Sequence, residues 1–320
     1  MALLGVALAG RAVAGSAPAG DPVAVVASVK GRVDVAPSHG GVTRATFGRP
    51  LERGDKVTVG AGGAATLFFA DGTMVTLSER GSLTIGSRPA AAPVPSALPS
   101  EVFEHVSRFA TAGSRQTGLV TMADMRGTVE DGAPLLLEPR NSSLLEDAPA
   151  LRWRTVPGAT HYRVHLAAVS GAELWTRDVP AATGGEQSLD YPADAQRLAA
   201  GVDYEWEVEV LDDRGAMRRE GTVVRVLSRE ACASVRANLA HIADDAGGAQ
   251  AAATHFLSGS YLSGLGVYGE DTSQFESLAV VAPESPVPHE ALGQLYLNVG
   301  LSDRAAAEFQ QALALQRGSR

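Results

Sequence analysis

The residues that invite chemistry come first. Gly264-Leu265-Gly266-Val267-Tyr268-Gly269 is a literal G-x-G-x-x-G. A dinucleotide site needs that spacing between a strand and a helix, so that backbone can approach a pyrophosphate. Here a helical pattern precedes it, and it reads as a turn between helices. Gly60 to Gly63 lacks a following Gly-Lys-Ser/Thr, so it is not a phosphate loop. His161 and His165 share one face of a predicted strand, but about 13 Å apart at 3.3 Å per residue they cannot share a metal. Glu205, Glu207 and Glu209 lie about 6.6 Å apart in the same way, near the spacing of paired carboxylates in glycoside hydrolysis. They would face outward on a sheet, and no cleft is implied. Ser258-Gly259-Ser260 sits in a helical stretch, without the strand–turn–helix frame of a nucleophile elbow. Cys232, the one cysteine, excludes an internal disulfide and a cysteine-based zinc site, and reads as buried and inert. These residues predict no catalytic set, no cofactor and no metal.

The elements that would position them are of three kinds. From Gly48 to Ile85, short β-like runs alternate with glycine turns. Asp71-Gly72, between Leu67-Phe68-Phe69-Ala70 and Thr73-Met74-Val75-Thr76-Leu77, suits a two-residue type I′ hairpin. That register sets Phe69 opposite Met74 and Phe68 opposite Val75. With both faces apolar, the hairpin is expected inside a β-domain rather than on its edge. Val23 to Val26 and Val29 to Val35 are read as two further strands, and Arg53-Gly54-Asp55 as a turn into Val57-Thr58-Val59. The order Gly31-Arg32-Val33, Leu51, Gly54-Asp55, Val57, Gly60, Ala65, Leu67, Phe69, Asp71-Gly72, Val75, Leu77, Ser82-Leu83, Ile85 resembles the FecR domain of bacterial envelope proteins. The resemblance covers about a fifth of the chain. It implies an all-β domain over 22–88 with Gly54, Asp55, Asp71 and Gly72 as structural motif residues, and a periplasmic or other extracytoplasmic location.

Over 139–229, Trp153, the Tyr162-Val164-Leu166 alternation, and Leu198 followed by Tyr204-Trp206-Val208-Val210 resemble a fibronectin type III-like β-sandwich. The resemblance makes Trp153 the strand B tryptophan and Tyr204 a tyrosine corner. His161, Arg163 and His165 would then lie beside the Glu205–Glu209 stripe, because the two strands pair. Over 231–320 the pattern is helical. Leu292-Gly293, Tyr296, Ala305, Phe309 and Ala312 match the tetratricopeptide repeat, with an earlier degenerate helix pair at 251–265 and 273–281. The resemblance implies a protein-binding groove holding Leu292, Tyr296 and Phe309. Between the β-regions, 89–138 reads as a proline-rich extended linker with a short helix from Glu101 to Ala112.

Residues 1–19 read as a signal peptide with a small-residue cleavage site at Ala17-Pro18-Ala19, although Arg11 interrupts the apolar run. Arg11 also stands where a lipoprotein box needs cysteine. At 320 residues the chain is long enough for two or three domains, and its 45% apolar and 20% charged content is that of a globular protein. A net charge of −9 argues against a nucleic-acid partner. No segment approaches a membrane span, so stable membrane insertion is not expected. The expectation is a non-enzymatic exported protein acting as a binding or scaffold module. Its partners would be a protein at the helical repeats and peptidoglycan or another cell-wall glycan. The alternative is a periplasmic sensor subunit of a FecR-type pathway working with a membrane-bound partner. No anti-sigma segment and no membrane helix precede the β-domain in this sequence, which departs from that signalling pattern.

Overall fold

The computed structural model describes residues 22–86, 98–116, 133–211 and 217–318. The proposed signal peptide and most of the proline-rich tract lie outside the described residues.

Eight strands build the first unit: β1 (Ala24–Lys30), β2 (Val33–Ala36), β3 (Thr43–Arg44), β4 (Pro50–Leu51), β5 (Lys56–Val59), β6 (Ala64–Phe69), β7 (Met74–Leu77) and β8 (Ser82–Thr84). They form two four-stranded sheets, β4-β1-β6-β7 and β3-β2-β5-β8. Alternation decides what faces in. On β2 and β5, Val33, Val35, Val57 and Val59 enter the shared core while Lys56 and Thr58 point to water. The strand boundary differs from the sequence reading. β1 runs unbroken past Val26, with a register shift before Ser28, and the chain turns at Gly31, where φ is +68°.

The hairpin also differs. Phe68 lies opposite Met74 and Leu67 opposite Val75, one residue away from the expected register. The Gly72 N–H donates to the Phe69 carbonyl (3.0 Å), and the Phe69 N–H to the Thr73 carbonyl (2.9 Å). Only Gly72 in this loop has positive φ, at +82°. The loop therefore has three residues, a type I turn closed by a left-handed glycine, and not the two-residue I′ form. Asp71 Oδ1 accepts from the Thr73 N–H at 3.0 Å and fixes the turn. β7 ends its sheet, so the hairpin is at an edge. Both faces of β6 are apolar for another reason: Leu67 enters the core between the sheets, while Phe68 meets a helix on the far side.

That helix is α1 (Ser100–Gln116). Phe103 stands edge-on to Phe68, with ring centroids 5.6 Å apart. Val25, Ala27 and Phe68 of the sheet, Val102, Phe103 and Val106 of α1, and the apolar residues of the C-terminal helices form one continuous core. The helix in the linker region is thus a packed layer, and the β-domain and the helices are not separate beads.

The second unit is a sandwich of β9 (Leu135–Glu138), β10 (Ser142–Leu144), β11 (Leu151–Arg154), β12 (His161–Ala168), β13 (Glu173–Pro180), β14 (Glu186–Leu189), β15 (Asp203–Leu211) and β16 (Met217–Val226). Its sheets run β14-β11-β9 and β10-β16-β15-β12-β13. Trp153, Tyr162, Val164, Leu166, Trp206 and Val208 fill the space between them. The Tyr204 hydroxyl accepts from the Ala199 N–H at 2.8 Å, tying strand to preceding loop.

Five helices complete the chain: α2 (Arg229–Asp245), α3 (Ala252–Gly264), α4 (Tyr268–Val281), α5 (Val287–Asn298) and α6 (Ser302–Gly318). The pairs α3–α4 and α5–α6 repeat one another. Gly259 packs against Phe275 as Gly293 packs against Phe309. His255 bonds Gln274 at 2.9 Å as His289 bonds Glu308 at 2.7 Å. Gly266 and Gly300 make the same positive-φ turn. Each correspondence spans 34 residues, the tetratricopeptide period.

Candidate functional site

The most constructed polar feature is the joint where the sandwich meets the helices. β9 is an edge strand, and unpaired edges invite association. Here the edge is closed by side chains. The Leu136 N–H donates to Glu220 Oε2 (2.8 Å), while Arg140 Nη1 donates to Glu220 Oε1 (2.6 Å) and to the Leu136 carbonyl (3.4 Å). Arg140 Nε reaches across to the Val299 carbonyl at the end of α5. The pair is largely buried, at 14% and 16% side-chain exposure. A second, wetter network lies beside it. Arg152 bonds Glu138 and Glu186, each at 3.0 Å, and Glu186 also accepts from Arg304 of α6. The Arg304 guanidinium sits 5.7 Å over the Tyr296 ring. Burial raises the Tyr296 phenol, and nearby Glu276 adds to it, so the hydroxyl stays protonated at neutral pH.

Between Leu137, Arg140, Tyr268, Thr272 and Tyr296 remains a crevice of about 20 Å³, room for about one water. The charges around it bond one another and the backbone. This arrangement can hold an angle between two units; it offers no room for a substrate. Among the described residues no group of three or more His, Cys, Asp or Glu is placed to hold a metal ion.

The predicted site residues fall as follows. Leu292 and Tyr296 are buried and Phe309 half-buried, its ring against Gly293. These three lie inside the α5–α6 pair, and Tyr296 also lines the joint with the sandwich. Gly54 has φ +97° and passes close to Ser38, where a side chain would crowd it. Asp55 is buried; its carboxylate accepts from the Ser38 N–H (3.2 Å) and the Glu52 N–H (3.0 Å), joining two loops. Asp71 and Gly72 make the hairpin turn described above. Gly264 to Gly269 spans the α3–α4 connection.

On the outer sandwich sheet, Arg163 lies opposite Glu209 and His165 opposite Glu207, while His161 falls opposite Leu211, beyond the acidic stripe. The bonds themselves run the other way. Arg163 pairs with Asp178 of β13 (2.9 Å), Glu207 with Arg219 of β16 (3.5 Å), and His165 Nδ1 bonds Thr176 (2.9 Å). Burial raises the Glu207 carboxyl; Arg219 opposes this and the neighbouring Glu209 and Glu205 add to it.

Sequence reasoning missed Arg140, Glu220 and Arg304. Nothing in local spacing marks residues 80 apart as partners. The 34-residue equivalence of His255 with His289 was available and points to the paired helices.

No protein-family model matches the chain, and no curated protein does. Solved structures are similar to parts of it, three of them as follows. A cell surface anchoring domain is 26% identical, covering 21% of this chain and 87% of its own, with a TM-score of 0.20. CopC from Methylosinus trichosporium OB3b is 17% identical over 30% of this chain and 95% of its own, at 0.23. FlgD from Xanthomonas campestris is 22% identical over 29% and 68%, at 0.22. Likeness at these scores carries no argument about function.

Proposed function

We propose that this chain is a non-enzymatic, exported envelope protein that acts as a rigid binding scaffold, with FecR-like, fibronectin type III-like and tetratricopeptide-like parts. The observation that carries the reading is the fusion of those parts. One apolar core runs from the first β-sheet through α1 into the helical repeats, and the Arg140–Glu220 pair locks the sandwich to α5. A protein whose polar groups are spent on holding units together is organised to present surfaces at fixed angles. The FecR-like residue order supports an extracytoplasmic setting, and the period-34 helix pairs support a protein-interaction role. No described helix is long and apolar enough to cross a membrane.

The test is a pull-down of the intact chain from envelope extract, with sedimentation on purified peptidoglycan beside it. Recovery with the wall assigns a wall contact. Recovery of one defined protein without wall binding assigns the scaffold role, or, if that protein is membrane-bound, the sensor role. Hydrolytic or transfer activity, with neither form of binding, overturns the reading.

A further inference from the structure

The β-domain departs in charge from the rest of the chain. Residues 22–86 carry seven Lys and Arg against five Asp and Glu, in a chain of net charge −9. Four of the five acids are also committed locally. Asp55 accepts from Ser38 and Glu52 amides, Asp71 from the Thr73 amide, Glu79 from the Gly62 amide, and Asp34 pairs with Arg32 at 2.9 Å. Arg32 apart, the cations are not matched in this way. Lys56 is exposed and has no ion pair among the described residues, and exposed Arg44 makes one long bond, 3.4 Å, to the Gly31 carbonyl.

Both side chains stand on the outer face of the β3-β2-β5-β8 sheet. Cross-strand register sets out one row as Arg44, Asp34, Thr58 and Ser82, and the next as Ala36, Lys56 and Thr84. Three strand spacings make this face about 14 Å wide. It is rich in hydroxyls and bears no large apolar side chain in these rows; its one acid, Asp34, lies opposite Arg44 and is paired with Arg32.

The geometry points to this face as a docking surface for a carboxylate-bearing polysaccharide, with Arg44 and Lys56 as its anionic anchors. The inference rests on the proposed wall contact and names where and how it is made. Hydroxyls and cations in rows on a sheet face complement a polymer of hydroxyls and spaced carboxylates. A densely charged polyanion such as nucleic acid fits poorly, because the remaining chain is acidic and would repel it. A membrane surface fits poorly as well, because these rows offer no large apolar side chain to insert.

The test compares the intact chain with Arg44→Glu/Lys56→Glu on three probes: polygalacturonate, neutral dextran and purified peptidoglycan. Both positions are exposed, so the melting curve of the variant should match the native one and show that folding is intact. The native chain is expected to bind polygalacturonate and the wall but not dextran. The variant should bind about tenfold or more weakly, and added salt should weaken the native chain likewise. Wall binding unchanged in the variant overturns this surface while leaving the wall contact standing. Equal binding to dextran overturns recognition by charge. Failure to bind either polygalacturonate or the wall overturns the wall contact and this surface together.

Discussion

Phe309 lies over Gly293 so closely that a Cβ on the glycine would come within 2.7 Å of its ring. Thirty-four residues earlier, Phe275 covers Gly259 in the same way, and a Cβ there would come within 2.8 Å of the ring. The two contacts set the spacing of both helix pairs, because a ring fills the space that a side chain would otherwise take.

Alanine at either glycine should therefore destabilise the chain. Alanine favours a helix over glycine by about 1 kcal/mol, while overpacking costs about 1–3 kcal/mol. Phe275 is fully buried and stacks on Phe109 of α1, so its ring has nowhere to move. Phe309 is only half-buried and can yield. Gly259→Ala should lower the urea midpoint clearly, and Gly293→Ala less. Equal losses at the two sites would contradict the account of ring mobility.

Arg140 and Glu220 make a second prediction. Removing one member of a buried pair leaves an uncompensated charge, at a cost of about 3–5 kcal/mol. Glu220→Gln should fall toward the low end, since an amide still accepts from the Leu136 N–H, whereas Arg140→Met also strips the Val299 carbonyl of its donor. Replacing both by apolar residues should recover much of the loss. Thermal unfolding of the three variants decides it; a double variant as unstable as the worse single one would show that the edge contacts, not the charge, dominate.

How far the sequence foretold this is clearest at particular residues. The strict alternation of Tyr204, Trp206, Val208 and Val210 with glutamates made β15 readable, and the buried side is the predicted one. The hairpin failed by one residue because Ala-Asp-Gly-Thr suits two loop lengths, and only the φ of Asp71 separates them. The start of α4 was expected at Ser273 and falls at Tyr268. Its first amide is capped by Ser142 Oγ at 2.9 Å, from a strand 126 residues away. The same distance in sequence hid the joint and the place of α1. Non-local partners leave no periodic trace.

Acid should loosen the α1–α3 contact. The His105 ring fills the space beside Gly264 and meets Tyr261 edge-on at 5.7 Å. Its Nδ1 is buried without a hydrogen-bond partner. Burial holds its pKa below the ordinary 6.5, and Arg108 adds to this; Glu101, Glu104 and a Gly264 backbone bond work the other way. The folded state thus favours the neutral ring. Its contribution is complete above about pH 6.5 and is lost as pH falls through that value toward the depressed folded pKa. The melting temperature of native protein should drop faster than that of His105→Gln between about pH 6.5 and 5. Parallel curves would show that His105 does not titrate against folding.

Asp271 carries the opposite slope. It is fully buried, its Oδ2 has no partner, and burial raises its pKa well above 3.8, with Glu270 adding and Thr272 opposing. The folded chain keeps the proton where the unfolded chain has released it, so stability falls as pH rises from about 3.8 through the folded pKa. The repeat shows what the position requires. Thirty-four residues on, the same place in the second helix pair is Ala305, also fully buried. Asp271→Ala should accordingly stabilise at neutral pH by about 1–3 kcal/mol, the desolvation cost of an unpaired buried polar group. Toward pH 4, where the unfolded chain begins to take up the same proton, the advantage should shrink. Urea unfolding of the two proteins at pH 4 and pH 7.5 separates the outcomes. If the variant is less stable at both, the carboxyl is a structural anchor and the equivalence with Ala305 does not hold.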